Sequence, residues 1–347
     1  MGVLLLRTIK KACVFTGMAV GAGFASGREI TDYFLEYGGV WVSGLLFAGV
    51  LFFLAVCGTS LIVRREGTAD YGGYLSCVMG RRAAAFTLWV SGLFFFVMFF
   101  AMISASATAA SELFGIPEST GVAVFVLICA VVILNGIDAV EKISLFLVPA
   151  LVLGITLMAP ENWSMAETLE PKGGSVYISA VIYVSYNVIA APALVIGEGR
   201  PASAREDILT GLMCCAALTV MGIAAGGGIL SADGASAAEF PLAAVAESRG
   251  DMFKYCYTAV FAIALLTTAV CNGMAAADFA AERFGIGRKT AAVFMLGASI
   301  PLSGISFSAF VSKIYPLFGL AGILQLVGTI VYLAGHLTKG RRRKENN

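Results

Sequence analysis

Apolar residues along this chain fall in long, nearly unbroken blocks separated by short polar or charged joints. A helix needs about 20 apolar residues to cross a bilayer. On that criterion the pattern predicts ten spans, at approximately 12–35, 41–63, 83–111, 121–136, 143–159, 175–198, 207–230, 252–282, 289–303 and 314–336. The ninth is short. The third and eighth are long enough to tilt or to project beyond the membrane. The predicted fold class is an all-α polytopic membrane protein with ten transmembrane helices.

Two blocks interrupt their own pattern. The first carries Gly17, Gly21, Gly23 and Gly27, then Arg28 and Glu29, before its apolar run ends near Leu35. Glycine weakens a helix by roughly 1 kcal/mol per position, and unwound backbone at membrane depth is tolerated only where it lines a cavity or is buried in protein. Small residues also allow close helix packing, but packing leaves the two adjacent charges unexplained. The sixth block holds Ser185, Tyr186 and Asn187 at its middle, with Pro192 five residues on. Proline removes a main-chain donor, and polar side chains at that depth face a cavity or pair with one another. A plain proline kink with interhelical hydrogen bonds is the alternative. Interrupted spans at corresponding places in two halves point to a transporter site. Five spans per half is an odd number, so the halves are expected to be inverted, at about 8–160 and 174–337. They would form one transporter domain over 1–347 that closes on a short basic tail, 338–347.

Composition agrees with this reading. Hydrophobic residues make up 59% and charged residues 13% of the 347, and mean hydropathy is +0.89. The net charge of +1 says little, but its distribution is informative. With the N-terminus inside, eighteen of the 23 lysines and arginines fall on the cytoplasmic side, among them Arg7, Lys10, Lys11, Arg64, Arg65, Lys142, Arg200 and the cluster Arg341 to Lys344. Lys172, Arg249, Lys254 and Lys313 fall outside, and Arg28 sits in the first interruption. The ten-span arrangement therefore obeys the positive-inside rule at every internal joint and places both termini in the cytoplasm. The first apolar block has no small-residue cleavage site and reads as a retained span. The outer joint at about 231–251 contains an amphipathic stretch, Ala237 to Glu247, read as a short helix with Pro241 near its start. It would serve as a lid or lie passively at the interface.

Several functions are disfavoured. The eight cysteines show no metal or redox spacing and read as small buried side chains. The one histidine, His336, lies near the end of the last block and reads as interfacial. No HExxH motif and no Ser/His or paired-Asp constellation suggests intramembrane catalysis, so the protein is not expected to be an enzyme. Polar rings of the kind that line a channel are not seen. Nothing suggests a nucleic-acid partner.

The stretch Val20 to Ile30 resembles the signature of the YkvI-type bacterial membrane proteins, relatives of the branched-chain amino acid permeases. The span order resembles the amino acid–polyamine–cation superfamily, whose LeuT-like fold is a 5+5 inverted repeat with broken helices 1 and 6. That resemblance implies a secondary transporter of the bacterial cytoplasmic (inner) membrane. Its partners would be the lipid bilayer and a small solute, an amino acid or related carboxylate. It would be driven by Na⁺ or H⁺, with no cofactor beyond a possible Na⁺. A non-transporting receptor or sensor on the same fold is the alternative.

The same resemblance implies an ion site made of carbonyls at Gly17 and Val20 and the hydroxyls of Thr267 and Thr268. Oxygen ligands of this type suit Na⁺. The two threonines back-bonding to their own helix is the competing reading. Met18 departs from the symporter pattern, which removes the expectation of a second ion. The substrate pocket would comprise Gly21, Ala22, Gly23 and Ser26 from the first break and Tyr186 and Asn187 from the sixth span, with Ser104 a candidate from the third. Main-chain N–H groups at the break would favour a carboxylate. Phe94, Phe95, Phe96, Phe99 and Phe100 read as core or lipid-facing side chains.

Arg28 and Glu29 admit three roles. Arg28 would pair with Asp32 as an outer gate, Glu29 would carry a coupling proton because burial raises a carboxyl pKa, or both would stand in an aqueous vestibule. Asp278 is a further gating or coupling candidate, or else a solvated residue near a helix end.

Overall fold

The structure, a computed structural model, describes residues 2–135, 138–160, 169–197 and 203–345. Among these every regular element is helical. The first apolar block is in three pieces: α1 (Gly2–Ala19), α2 (Ala22–Ser26) and α3 (Arg28–Tyr33). A 3₁₀ turn, Leu35–Val40, leads to α4 (Trp41–Glu66). Then come α5 (Tyr71–Met79), α6 (Arg81–Phe114), α7 (Glu118–Asn135) and α8 (Asp138–Thr156). The sixth block is again divided, into α9 (Val176–Asn187) and α10 (Ala191–Gly197). It is followed by α11 (Ala204–Ser231), α12 (Pro241–Ser248), α13 (Asp251–Phe284) and α14 (Arg288–Leu302). The chain closes with a single turn, α15 (Phe307–Ala309), a π-helical turn over Phe310–Ile314, and α16 (Tyr315–Glu345).

Each of the ten expected spans falls on one or more of these helices. The far ends of the fourth and sixth, at 136 and 198, lie outside the described residues, as do Arg200 and the side chains of Lys142 and of Arg341 to Lys344. Five helical stretches, Leu35–Glu66, Arg81–Phe114, Ala204–Ser231, Asp251–Phe284 and Phe307–His336, are long and apolar enough to cross a membrane. Large apolar side chains such as Phe146, Phe294, Leu317 and Val331 stand exposed around the outside, as a lipid-facing surface requires.

Packing sorts the helices into two sets. In one, α4 packs against α11 and α9, and α16 packs on α9. In the other, α6 and α13, each 34 residues long, lie together with α7 and α14. The close approach of α16 to α9 depends on Gly322, where a Cβ would stand 2.6 Å from the Ser185 carbonyl oxygen. A side chain there would push α16 off the second interruption.

Two expectations need correction and one gains detail. A helix, α5, occupies the joint between the second and third spans, where none was expected. Asp70 starts it by accepting a hydrogen bond from the Gly73 N–H at 2.7 Å. The basic tail expected from 338 continues α16 as helix to Glu345, a conformation that the sequence expectation leaves unspecified, since Lys and Arg are strong helix formers. The cysteines are not uniformly internal: Cys57, Cys129 and Cys214 are buried, but Cys77, Cys256 and Cys271 are exposed.

Candidate functional site

The first interruption is built by glycine. Helix α1 ends at Ala19, and Gly21 in extended conformation starts α2. The Ala22 N–H would be left without an acceptor by this break, and it donates to Thr268 Oγ1 of α13 at 3.2 Å. Gly27 then turns the chain with φ +84°, a left-handed conformation that L side chains adopt only with strain. Ser26 holds the turn, donating to the Gly23 carbonyl at 2.7 Å and accepting from the Arg28 N–H at 3.1 Å. From α13, Tyr257 donates to the Ala25 carbonyl at 2.5 Å. The released main-chain groups of the break are thus taken up by side chains from a distant helix.

The second interruption is held from the other side. Between α9 and α10 the carbonyls of Val188 and Ile189 accept from Gln325 Nε2 of α16, at 2.9 and 3.5 Å. Gln325 is 1% exposed, and its Oε1 accepts from Tyr71 of α5 at 2.7 Å. Burial raises the Tyr71 hydroxyl above the ordinary tyrosine range, so it remains a donor to Gln325. Neither Gln325 nor Tyr71 was singled out in the sequence. A lone glutamine within a long apolar block was the available signal.

The two interruptions meet through aromatic rings and one carboxyl. Tyr33, the last residue of α3, lies 5.5 Å from Tyr183 and 5.7 Å from Tyr186, both on α9. Tyr186 also packs on Tyr315 at 5.4 Å and on Phe94 at 6.1 Å. Glu29, 3% exposed, points among them, and its carboxyl interacts electrostatically with all four tyrosine hydroxyls. Gly23 makes the room, since a Cβ at that position would overlap the Glu29 carboxyl. Glu29 Oε2 and the hydroxyls of Tyr183, Tyr186 and Tyr315 are buried, and the hydroxyls of Tyr183 and Tyr186 are the hydrogen-bonding neighbours of the Glu29 carboxyl. Among the described residues Glu29 belongs to no ion pair.

Arg28, the nearest cation in sequence, turns the other way. It pairs with Asp32 at 2.9 Å and donates to the Ala238 carbonyl at 3.4 Å. Ala238 precedes α12, whose Leu242 sits against Gly27. Leu242, Ala243, Val245 and Ala246 of α12 are buried, so the amphipathic stretch lies on the first interruption and is not a passive surface helix. A cavity of about 250 Å³ opens beside the pair, lined by Asp32, Tyr33, Lys172, Ser179, Ser312 and neighbours. Tyr33 therefore belongs both to this cavity and to the tyrosine cluster.

The other expected site residues are dispersed. Thr267 donates to Ala264 of its own helix at 3.1 Å, and Thr268 alone of the two reaches the break. Gly17 packs against Val148 of α8, and the Val20 N–H bonds the Thr16 carbonyl at 2.7 Å. Asn187 donates to the Tyr183 carbonyl within α9 at 2.9 Å. Ser104 donates to the Ile305 carbonyl, which ties α6 to the segment before α15 and not to the break. Asp278 lies ten residues beyond Thr268 on α13, about 15 Å away along the axis. It is 55% exposed and paired with Arg288 at 2.6 Å, an exposed ion pair apart from the cluster. Phe94, expected to be core or lipid-facing, is buried in the core, where it packs on Tyr186 and Tyr315.

No family model matches the chain. Along its length it is similar to the uncharacterized membrane protein YkvI of Bacillus subtilis, 22% identical over 348 residues, with 92% of this chain and 94% of that one covered. It is likewise similar to YyaD of the same organism, 20% identical with 93% and 96% covered. Among solved structures, MhsT in complex with L-phenylalanine superposes with a TM-score of 0.66 at 15% identity, covering 90% of this chain and 87% of that one. Mhp1, a nucleobase-cation-symport-1 family transporter with bromovinylhydantoin bound, gives 0.60 at 16% identity, covering 88% and 74%. The Eremococcus coleocola manganese transporter gives 0.61 at 14%, covering 95% and 76%. The chain is thus similar along its length to these two Bacillus subtilis proteins and shares the fold of these transporters.

Proposed function

We propose that this protein is a secondary transporter that moves a small amino-acid-like solute across the cytoplasmic membrane by alternating access. The observation that carries the reading is the meeting of the two interrupted spans, where Tyr33 packs on Tyr183 and Tyr186 around the buried Glu29. Polar groups are costly at membrane depth and persist where they line a solute or ion pathway. The solute would lie between Gly21 to Gly23 and the middle of α9. The set containing α4, α9 and α11 would rock against the set containing α6 and α13, as inverted repeats do around a central site. The matched lengths of α6 and α13 support such a repeat. The charge distribution supports ten spans with both termini in the cytoplasm.

The coupling ion in this reading is Na⁺, held near Gly17, Val20 and Thr268. The support is the position of Thr268, whose hydroxyl already serves the first break. The test is thermal unfolding of the purified protein in NaCl against matched choline chloride, followed by uptake into liposomes. A sodium-dependent rise in Tm that disappears in Thr268→Val, with sodium-driven uptake, is expected. No sodium response at any pH shifts the coupling to protons. Solute binding without uptake would mark a receptor.

A further inference from the structure

The basic residues at the cytoplasmic helix ends fall into two groups. Beside α1, α4 and α11 they are committed to buried carboxylates: Lys11 pairs with Glu206 at 3.1 Å, and Arg64 pairs with Asp207. At the ends of α6 and α13, Arg81, Arg82 and Arg283 are exposed, and among the described residues none of them has a carboxylate partner. Arg81 and Arg82 stand in the first turn of α6, which starts at Gly80 and holds no acidic residue there. Cations at that end oppose the helix dipole, so the helix itself does not favour them. We propose that this corner of α6 and α13 binds an anionic phospholipid of the inner leaflet, with Arg82 and Arg283 on its phosphate and the α6 face below them on an acyl chain.

The geometry selects this occupant. Arg82, Phe86, Trp89 and Leu93 succeed one another at helical spacing, which places them in one stripe along α6. Phe86, Trp89 and Leu93 are exposed although apolar, as a lipid-facing stripe requires. From Arg82 to Leu93 is about 16 Å of helix, close to half of a hydrocarbon core about 30 Å thick. One phospholipid with its charged end at Arg82 therefore covers the stripe. The neighbouring helix completes the head site. The Arg283 guanidinium lies 4.4 Å from the Trp89 ring centroid, and Trp89 packs edge-on against Phe279 of α13 at 5.5 Å. The indole thus holds the guanidinium beside the stripe, at the interfacial depth that tryptophan favours. Arginine suits a phosphate because its planar fork bonds two oxygens at once. The acidic residues near the ends of α13 and α14 are Glu282 and Asp278, and Asp278 is already paired with Arg288. A zwitterionic lipid would bring a cation of its own into this excess of positive charge.

The test uses the full-length protein in detergent. It is titrated with phosphatidylglycerol, with phosphatidylcholine of the same acyl chains, or with inorganic phosphate, and read by thermal unfolding. Phosphatidylglycerol is expected to raise Tm by mass action, and the other two are not. Arg82→Gln and Arg283→Gln should each weaken the apparent affinity about fivefold, and the double variant about twentyfold or more, as expected for single basic residues facing anionic lipid. Arg65→Gln removes an exposed charge from the end of α4 and should leave the affinity within about twofold of wild type. All three arginines are exposed, so the variants are expected to fold.

Equal stabilisation by phosphatidylcholine and phosphatidylglycerol marks ordinary boundary lipid and overturns the proposal. So does a phosphatidylglycerol affinity unchanged in the double variant, or no response to phosphatidylglycerol at all. Stabilisation by inorganic phosphate that matches the lipid assigns the arginines to a soluble anion, and an equal loss in Arg65→Gln reports net charge alone; either result also overturns it. Liposome uptake is a separate measurement. Its absence leaves the lipid site standing, and loss of lipid selectivity leaves the transport reading standing.

Discussion

The side-chain amide of Gln325 on the last helix donates to the carbonyl oxygen of Val188 at the second interruption, at 2.9 Å. The bond spans 137 residues of sequence and joins a straight helix to a broken one. Through its other end Gln325 accepts from Tyr71, so one amide connects the break, α16 and the α5 joint. Gln325→Leu keeps the volume but removes the amide donor from the Val188 and Ile189 carbonyls and one of the two partners of the Tyr71 hydroxyl, the Val188 carbonyl keeping the Ala191 N–H at 3.1 Å and Tyr71 keeping Ser91 at 3.0 Å. Each lost hydrogen bond costs about 0.5–1.5 kcal/mol. A clear drop in Tm is expected, with Gln325→Glu intermediate because it still accepts from Tyr71.

Thr267 and Thr268 are neighbours with different duties. Thr268→Val strips the Ala22 N–H of its acceptor, whereas Thr267→Val removes only a bond to its own helix. Thermal unfolding in choline chloride, with no sodium present, should show Thr268→Val losing about 1 kcal/mol or more and Thr267→Val close to wild type. Equal losses would mean that Thr268 does not support the break.

Gly27 combines a left-handed φ of +84° with the contact of Leu242 from α12. Gly27→Ala adds strain of order 1–3 kcal/mol and forces a Cβ to within 2.9 Å of the Leu242 backbone nitrogen. The expected result is a lowered Tm together with faster proteolysis around 232–240, where α12 would be levered off the first interruption.

Gly23 and Glu29 share one space. Gly23→Ala should displace the Glu29 carboxyl, so the two positions are expected to be coupled. In a double-mutant cycle, Gly23→Ala should cost stability on the wild-type background and much less on Glu29→Ala, where the carboxyl is gone. Additive losses in Tm would show that the added methyl group meets something else.

The two ion pairs should behave oppositely. Arg28 with Asp32 is largely buried, and removing Arg28 leaves the Asp32 carboxylate only the weaker field of Lys172, at a cost of up to about 3–5 kcal/mol. Asp278 with Arg288 is half exposed, and breaking it should cost under about 1 kcal/mol and less still at high salt. Chemical denaturation of Arg28→Met and Asp278→Asn at two ionic strengths distinguishes the two.

Periodicity, block length and glycine content by themselves determined an all-helical membrane protein and where its long apolar blocks lie. These are local properties. A run of apolar residues long enough for a bilayer must be helical because no water is there to satisfy its backbone, and clustered glycine or an interior proline weakens a helix locally, although Pro149, Pro301 and the run Gly226 to Gly228 lie inside helices here. The Arg28–Asp32 pair was legible for the same reason, since four residues is one helical turn. Only the tertiary structure decided what the breaks touch. Ala22 with Thr268, Ala25 with Tyr257 and Val188 with Gln325 are partners 246, 232 and 137 residues apart, and no local pattern encodes such distances. For that reason Tyr33, Tyr183 and Tyr315 passed as ordinary apolar-block residues, while Ser104 and Asp278 stood out by polarity although one ties α6 to the segment before α15 and the other faces outward. Side-chain chemistry marks which residues can form a site, but the packing of distant helices brings Glu29 among the tyrosines.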